Sequence, residues 1–380
     1  MALLDFLKIP IRAPAECIVR IDDEEITDLY PFIVEVSVDT SRVEAAEATL
    51  RFETRRDTDG GWLVQDDPRM STWRRIRIEA AFGAHVEEVM RGYIREVRVD
   101  MPEDSGAAEV TVIAQDESIA LDREHQRRSW GVDAPTSDGV IASTIIGDEH
   151  GLAFEEAPAT GQGNLENLNQ DGTDVAFLQA RAEANDYELI SRAGAAYFGP
   201  MRLDGTPQET IFVYAGTSTN CMRVSIQDDG HRPDRVAYEV APRTGSTTHS
   251  ETVSPNLRLL GSEPASSESA LDDRFVWRTS REGVSDPDRA RDLAQQRANR
   301  ESMKVKADGE LDGARYGHVL KVGLTVALDG VGARHSGIWY VDRVTHVFDV
   351  NGYRQRFELL RNAYGDNVPG STAGAIAALL

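Results

Sequence analysis

Over residues 15–122 apolar side chains recur at every second position in short runs. "AECIVRID", "PFIVEVSVD", "EATLRFETR", "RIRIEAAFG", "EVMRGYIREVRVD" and "AEVTVIAQD" are rich in Val and Ile, and several alternate as half-buried antiparallel strands do. "TDGGWLVQDDPRMSTW" (58–73) interrupts the series as a long loop. About six strands without a long helix predict a small barrel or sandwich over 13–122.

The period changes over 123–205. "TSDGVIASTIIGDEHGL" has a polar start at Thr136-Ser137 and apolar Val140, Ile141, Ile145 and Ile146, which predicts a helix ending near Gly151. "GQGNLENLNQDG" is a polar loop. "TDVAFLQARAEANDYELISRAGAAYFGP" gives a helix with Asp174 near its start, Val175, Phe177, Leu178 and Ala182 on one side, and Asn185-Asp186 at its end. Two short strands follow across Ala193-Gly194, so 123–205 is a small α/β insert.

From 206 the β pattern returns in "TIFVYAG", "CMRVSIQD" and "PDRVAYEVAP". Residues 243–272 are Ser/Thr/Glu-rich and predict a surface connection. "VSDPDRARDLAQQRANRESM" predicts a helix over 286–302, capped by Ser285 or Asp286, with Pro287 in its first turn. Strands in "HVLKVGLTVAL" and a final hairpin complete a second β region over 206–365. Residues 366–380 form a tail, and 1–12 an arm in which Leu3, Leu4, Phe6 and Leu7 precede Pro10. Such a terminal apolar cluster suits a partner or its own domain equally.

The final hairpin, "GIWYVDRVTHVFDVNGYRQRFELLRNA", has the rhythm of "GYIREVRVDMPEDSGAAEVTVIAQDES", which starts at Gly92. Setting Tyr93 against Tyr340 aligns Val97 with Val344 and brings the turn glycines Gly106 and Gly352 nearly together. The return strands alternate alike: Val110 and Val112 oppose Glu109 and Thr111, while Tyr353, Phe357 and Leu359 oppose Arg354, Arg356 and Glu358. These six turn and strand positions are the candidate repeated framework. Any two β hairpins also look alike for physical reasons.

Composition narrows the function classes. At 380 residues the chain fits two or three domains, and 41% hydrophobic with 28% charged residues is ordinary for a globular protein. No apolar run reaches the ~18 residues of a membrane span, and "MALLDFLKIP" lacks the form of a secretory signal, so synthesis and folding in the cytoplasm are expected. Cys17 and Cys221 match no zinc or redox spacing and read as lone buried thiols. The net charge of −23 has the wrong sign for neutralising phosphates, which disfavours nucleic-acid binding. Lysine occurs only at Lys8, Lys304, Lys306 and Lys321. An acid-rich, lysine-poor surface suits a high-salt cytoplasm, and a GC-rich genome gives the same Arg bias.

The span "GELDGARYGHVLKVGLTVALDGVGARHSGIWYVDRVTHVFDVNGYRQRFELLRNA" resembles the C-terminal region of phage late control D proteins, the baseplate hubs of contractile tails. The resemblance rests on Gly309, Gly313, Gly323, Val326, Gly330, Gly332, Gly337, Tyr340-Val341, Val344, His346 and Gly352-Tyr353. "TDVAFLQARAEANDYELISRAGAAYFGP" and "VAYEVAPRTG" are similar to mid-chain segments of that family and of the N-terminal half of type VI secretion spikes. The resemblance covers roughly 90–363.

It implies a mainly β fold with an α+β insert: two tail-tube-like antiparallel β-barrel domains, a small α/β domain and a connecting helix. It implies a homotrimer that joins the sixfold tail tube to a threefold spike in a virion or injection particle. The partners implied are a tube or tube-initiator protein, a spike, and a baseplate wedge or LysM-like protein. No spike-like repeats follow, so the spike is expected to be a separate polypeptide, with Ile376, Leu379 and Leu380 in the apolar tail as a candidate contact. A tail-tip cell-wall-degrading enzyme and a secreted tandem-β binding module are the alternatives.

Catalytic signals are thin. Asp148-Glu149-His150 is compact but reads as a solvated helix end. His249 with Glu251 reads as exposed, and His346 as a hydrogen-bonded core or interface histidine, with Trp339 an anchor on the opposite face. No H-E-x-x-H, P-loop or G-x-S-x-G occurs. The sequence therefore points to no catalytic set, no cofactor and no metal, and to no stable membrane insertion.

Overall fold

The computed structural model describes residues 15–103, 107–156, 165–240, 248–265, 274–279 and 286–367. The docking candidates Leu3, Leu4, Phe6, Leu7, Ile376, Leu379 and Leu380, and the turn residue Gly106, lie outside them. The fold is mainly β, and most of its strands pair antiparallel. Two compact units divide the chain. The first runs up to Met201 and takes in Glu310–Gly323 and Arg343–Arg356. The second takes in Arg202–Gly309, Leu324–Asp342 and the chain from Phe357 on.

In the first unit, the alternating runs become β1 (Ala15–Ile21), β2 (Ile33–Ser41), β3 (Glu47–Thr54), β4 (Arg75–Phe82), β5 (His85–Asp100) and β6 (Ala108–Asp116). All pair antiparallel in the order β2-β3-β6-β5-β4-β1, and Arg343–Phe348 adds a strand beside β2, with Val344 opposite Thr40. One face of each strand is apolar because successive side chains alternate. Val36, Val38, Leu50, Phe52, Ile76, Ile78, Ile94, Val110 and Val112 are buried in one core with Phe348 and Tyr353. Burying each such side chain stabilises by roughly 1.5–3 kcal/mol relative to exposure.

The insert of this unit holds β7 (His125–Trp130), α1 (Asp138–Ser143) running on as a wider turn to Glu149, β8 (Ala153–Glu156), β9 (Leu168–Thr173), α2 (Asp174–Asn185), β10 (Glu188–Arg192) and β11 (Ala195–Gly199). The Ser137 hydroxyl caps α1 by accepting from the Val140 N–H. Asp186, in the left-handed region at φ 57°, ends α2 where the sequence predicts. Ile141, Ile145, Ile146, Leu178, Ala182 and Phe198 share a core. The segment Leu168–Thr173 takes in the end of the predicted polar loop and is instead a strand antiparallel to β7. Its ladder carries polar pairs such as Ser129 with Asn169, so no hydrophobic period announces it.

In the second unit, β12 (Gln208–Phe212), β13 (Cys221–Asp228), β14 (Arg235–Val240), β15 (His249–Val253), β16 (Val276–Arg278), α3 (Pro287–Ser302), β17 (Val305–Asp312), β18 (Thr325–Asp329), β19 (Gly337–Asp349) and β20 (Gly352–Arg361) follow in order. β17, β19 and β20 begin or end in the other unit. The helix starts at Asp286, whose carboxylate accepts from the Asp288 N–H, and its Ala290, Ala294 and Ala298 stripe packs on Val236, Tyr238, Val240 and Val253.

Two readings of this region change. Residues 243–272 contain β15, of which only Val253 is buried, so a strand of polar composition was indistinguishable from a connection. "HVLK" is not a strand: of that run only the last four residues, in β18, pair, although Val319 and Leu320 are buried. The Leu320 N–H instead donates to the Gln355 side chain, whose amide donates to the His318 carbonyl.

Glycines of the resemblance have steric reasons. A Cβ on Gly313 would lie 2.1 Å from Tyr353 Cδ1, and one on Gly309 would lie 2.3 Å from Phe357 Cζ. Gly330 combines φ +89° with a carbonyl of Val213 1.8 Å from any Cβ. Gly313→Ala is expected to cost about 1–3 kcal/mol by displacing the Tyr353 ring from the core, read as a lower urea midpoint with an unchanged slope.

Candidate functional site

The hairpin positions are the first candidates. Tyr93 and Val97 are half-buried on β5, whereas Tyr340 and Val344 are fully buried on β19. A register shift between Ile94 and Glu96 separates Tyr93 from Val97 on the first copy. The second copy turns through Val350-Asn351 to Gly352 at φ +99°, a sequence that fits a type I turn closed by a glycine bulge. Their return strands alternate as read from the sequence: Val110, Val112, Tyr353, Phe357 and Leu359 are buried.

His346 is 1% exposed, with Nδ1 2.8 Å from the Tyr353 hydroxyl. Burial lowers its pKa to about 3, against a smaller upward pull from Asp39. It is a neutral core histidine. Trp339 is wholly buried and donates from Nε1 to the His335 carbonyl. His249 and Glu251 are exposed on β15. Neither Cys17 nor Cys221 forms a disulfide, and burial pushes the Cys17 thiol up to about 12, against its acting as a thiolate nucleophile.

The helix end at Glu149 and His150 does more than meet solvent. His150 Nε2 lies 2.9 Å from Asp174 Oδ2 at the start of α2, and Gln170 donates to Asp174 Oδ1 at 2.6 Å. The Arg128 guanidinium bridges Glu149 at 2.6 Å and Asp174 at 3.1 Å. A permanent cation therefore already occupies this acidic group, which fastens α1 and α2 to β7 and β9. Asp148 is exposed and takes no part. The sequence shows Glu149-His150 but not Asp174 or Arg128, because the contact depends on tertiary pairing.

A second cluster went unread in the sequence. His85 Nε2 and His318 Nδ1 lie 2.7 and 2.6 Å from the same oxygen of Glu87, and Lys321 Nζ lies 3.2 Å from its other oxygen. Burial raises the Glu87 carboxyl, but these hydrogen bonds and the Lys321 charge outweigh it and leave it at about 2.

Exposed apolar side chains occur at the far end of the first hairpin, Val99 and Met101, and at Tyr214, Met222 and Val350. Met222 lies on β13, which among the described strands pairs only with β17. An edge strand with a free ladder is a surface that another chain can extend. No helix among the described residues is long and apolar enough to cross a membrane.

Comparison places this fold. A 43 kDa tail protein of prophage MuSo2 from Shewanella oneidensis superposes with TM-score 0.69 at 12% identity, over 91% of this chain and 98% of that one. A tail protein from Neisseria meningitidis gives 0.61 at 12% identity, over 92% and 96%. An Escherichia coli protein described as a component of the type VI secretion system, structurally similar to T4 bacteriophage tail proteins, gives 0.52 at 13%, over 92% and 79%. The fold is thus that of tail proteins. No curated protein matches the sequence. The family model described as the Alg8 N-terminal domain matches residues 13–349.

Proposed function

The chain belongs to the Alg8 N-terminal domain family, and we propose that it is a structural baseplate hub of a contractile tail or contractile injection system. In this reading it is a homotrimer of the late control D type that joins a sixfold tail tube to a threefold spike and lines the channel. The observation that carries the reading is the fold shared with a prophage tail protein over nearly the whole of both chains. In this reading the hairpins at Tyr93–Val97 and Tyr340–Val344 mark two tube-like regions per chain, so three chains would present six to a hexameric tube. On this reading, the arm and the tail dock the spike, the tube-initiator and wedge or LysM-like proteins. The role is mechanical: the hub matches symmetries and travels with tube and spike when the sheath contracts.

Light scattering on the purified full chain, alone and with a tail-tube protein from the same source, tests this. The expected result is a mass three times the chain's 41.9 kDa and a stable complex with tube protein. A chain that stays monomeric in the presence of tube protein would overturn it. The same preparation is expected to leave peptidoglycan intact in a zymogram.

A further inference from the structure

We propose that His85, Glu87 and His318 form a binding site for a divalent first-row transition metal such as Zn²⁺ or Co²⁺. The local folding explains the convergence. Gly83 and Ala84 form the tight turn between β4 and β5, with Phe82 opposite His85 across it. His85 and Glu87, two residues apart on one strand, project from the same face. His318 comes from the far part of the sequence, immediately after Gly317, whose φ of +75° ends the short helical turn Gly313–Tyr316.

The three ligand atoms lie within 4.8 Å of one another. Two imidazole nitrogens and a carboxylate oxygen form the mixed N/O donor set that suits Zn²⁺ and its neighbours, rather than the all-oxygen set of Ca²⁺ or Mg²⁺. Metal–ligand bonds of about 2.0–2.2 Å need donors about 3–3.5 Å apart. The present separations of 2.7 and 2.6 Å to Glu87 require the side chains to open by roughly half an ångström or more. Both imidazoles are partly exposed and can make that movement, with an entry path from solvent.

Neighbouring groups already orient the donors, as the surroundings of a metal centre do. Phe82 stacks beside the His85 ring at 6.1 Å, and Tyr316 meets the His318 ring edge-on at 6.3 Å. Lys321 holds the second oxygen of Glu87, leaving the first for the ion. Three protein ligands leave one or more positions for water or for a side chain of another protein. The site differs from the Arg128 cluster, where a guanidinium fills the equivalent space. A bound ion would clamp the segment after Gly317 to the β4–β5 turn, within one compact unit.

Titrating the metal-free full chain with Co²⁺, followed by visible absorption and by calorimetry with Zn²⁺, tests the site. The expected result is one ion per chain, with ligand-field bands between about 500 and 650 nm for low-coordinate Co²⁺ and a rise in melting temperature of a few degrees on saturation. His85→Ala, at a half-exposed turn position, and Glu87→Gln are each expected to weaken binding at least tenfold. His249→Ala, exposed and outside the cluster, serves as the control and should bind like the wild type. Absence of stoichiometric binding by the wild type, or unchanged affinity in both cluster variants, would overturn the proposal. Circular dichroism without metal shows that the variants are folded, so a loss of binding is assigned to the ligands.

Discussion

Replacing Arg361 with lysine is expected to destabilise the protein by about 2–4 kcal/mol, although charge is conserved. Arg361 is fully buried on β20, and its guanidinium donates to the carbonyls of Leu260, His335 and Gly365 at 2.5–3.2 Å. The His335 carbonyl also accepts from Trp339, whereas among the described residues no other donor reaches those of Leu260 and Gly365. Burial lowers the guanidinium to about 10, still three units above neutrality, so the side chain remains a cation at pH 7. Lysine starts about two units lower and presents a point charge, not a planar fork, so it cannot serve carbonyls on opposite sides of itself.

Each buried carbonyl left without a donor costs about 1–3 kcal/mol, and two are at stake. Arg361→Met removes the buried charge as well, which offsets part of that loss, so methionine is expected to do no worse than lysine. Urea unfolding of the two variants decides the matter. If Arg361→Lys lies within about 0.5 kcal/mol of the wild type, the fork geometry is not what the site requires, because that is the range of an ordinary surface change.

Arg361 also shows where the sequence stops being informative. Strands that bury one apolar face were legible: the alternation at Val110 and Val112, and at Tyr353, Phe357 and Leu359, gave both their existence and their inward side. The end of α2 at Asn185-Asp186 was equally readable, because a left-handed residue has a compositional signature. The β7–β9 ladder was not, since its neighbours across the strands are Arg127 with Asp171 and Ser129 with Asn169, held by polar contacts that carry no hydrophobic period. The mixed cluster at Glu87 was hidden for a different reason. His85 and Glu87 are local, but His318 is 231 residues beyond Glu87 and reaches it only through the fold. Local patterns encode burial, whereas convergence of donors from remote segments is decided by topology.

His346 is expected to impose a loss of stability in acid of about 1.4 kcal/mol per pH unit below about pH 6.5. The sign follows from proton uptake. In the folded chain the imidazole stays neutral down to about 3, because burial penalises its charge more than Asp39 favours it. In the unfolded chain it takes a proton near 6.5, so between the two values the unfolded state holds one proton more and gains as pH falls. Between pH 6.5 and 4.5 this single group removes about 2–3 kcal/mol, a large part of a typical domain's margin. Above pH 6.5 it has no effect. His346→Gln keeps a polar group for the Tyr353 hydroxyl but cannot titrate. Its stability at pH 7 should be lower, through loss of the ring that lies beside Tyr353, yet its decline toward pH 4.5 should be shallower by the stated slope. Carboxylates that titrate in the same range are common to both proteins and cancel in the difference. Chemical unfolding at several pH values between 7 and 4.5 gives that difference directly, and parallel curves for wild type and variant would show that the imidazole is protonated in the fold.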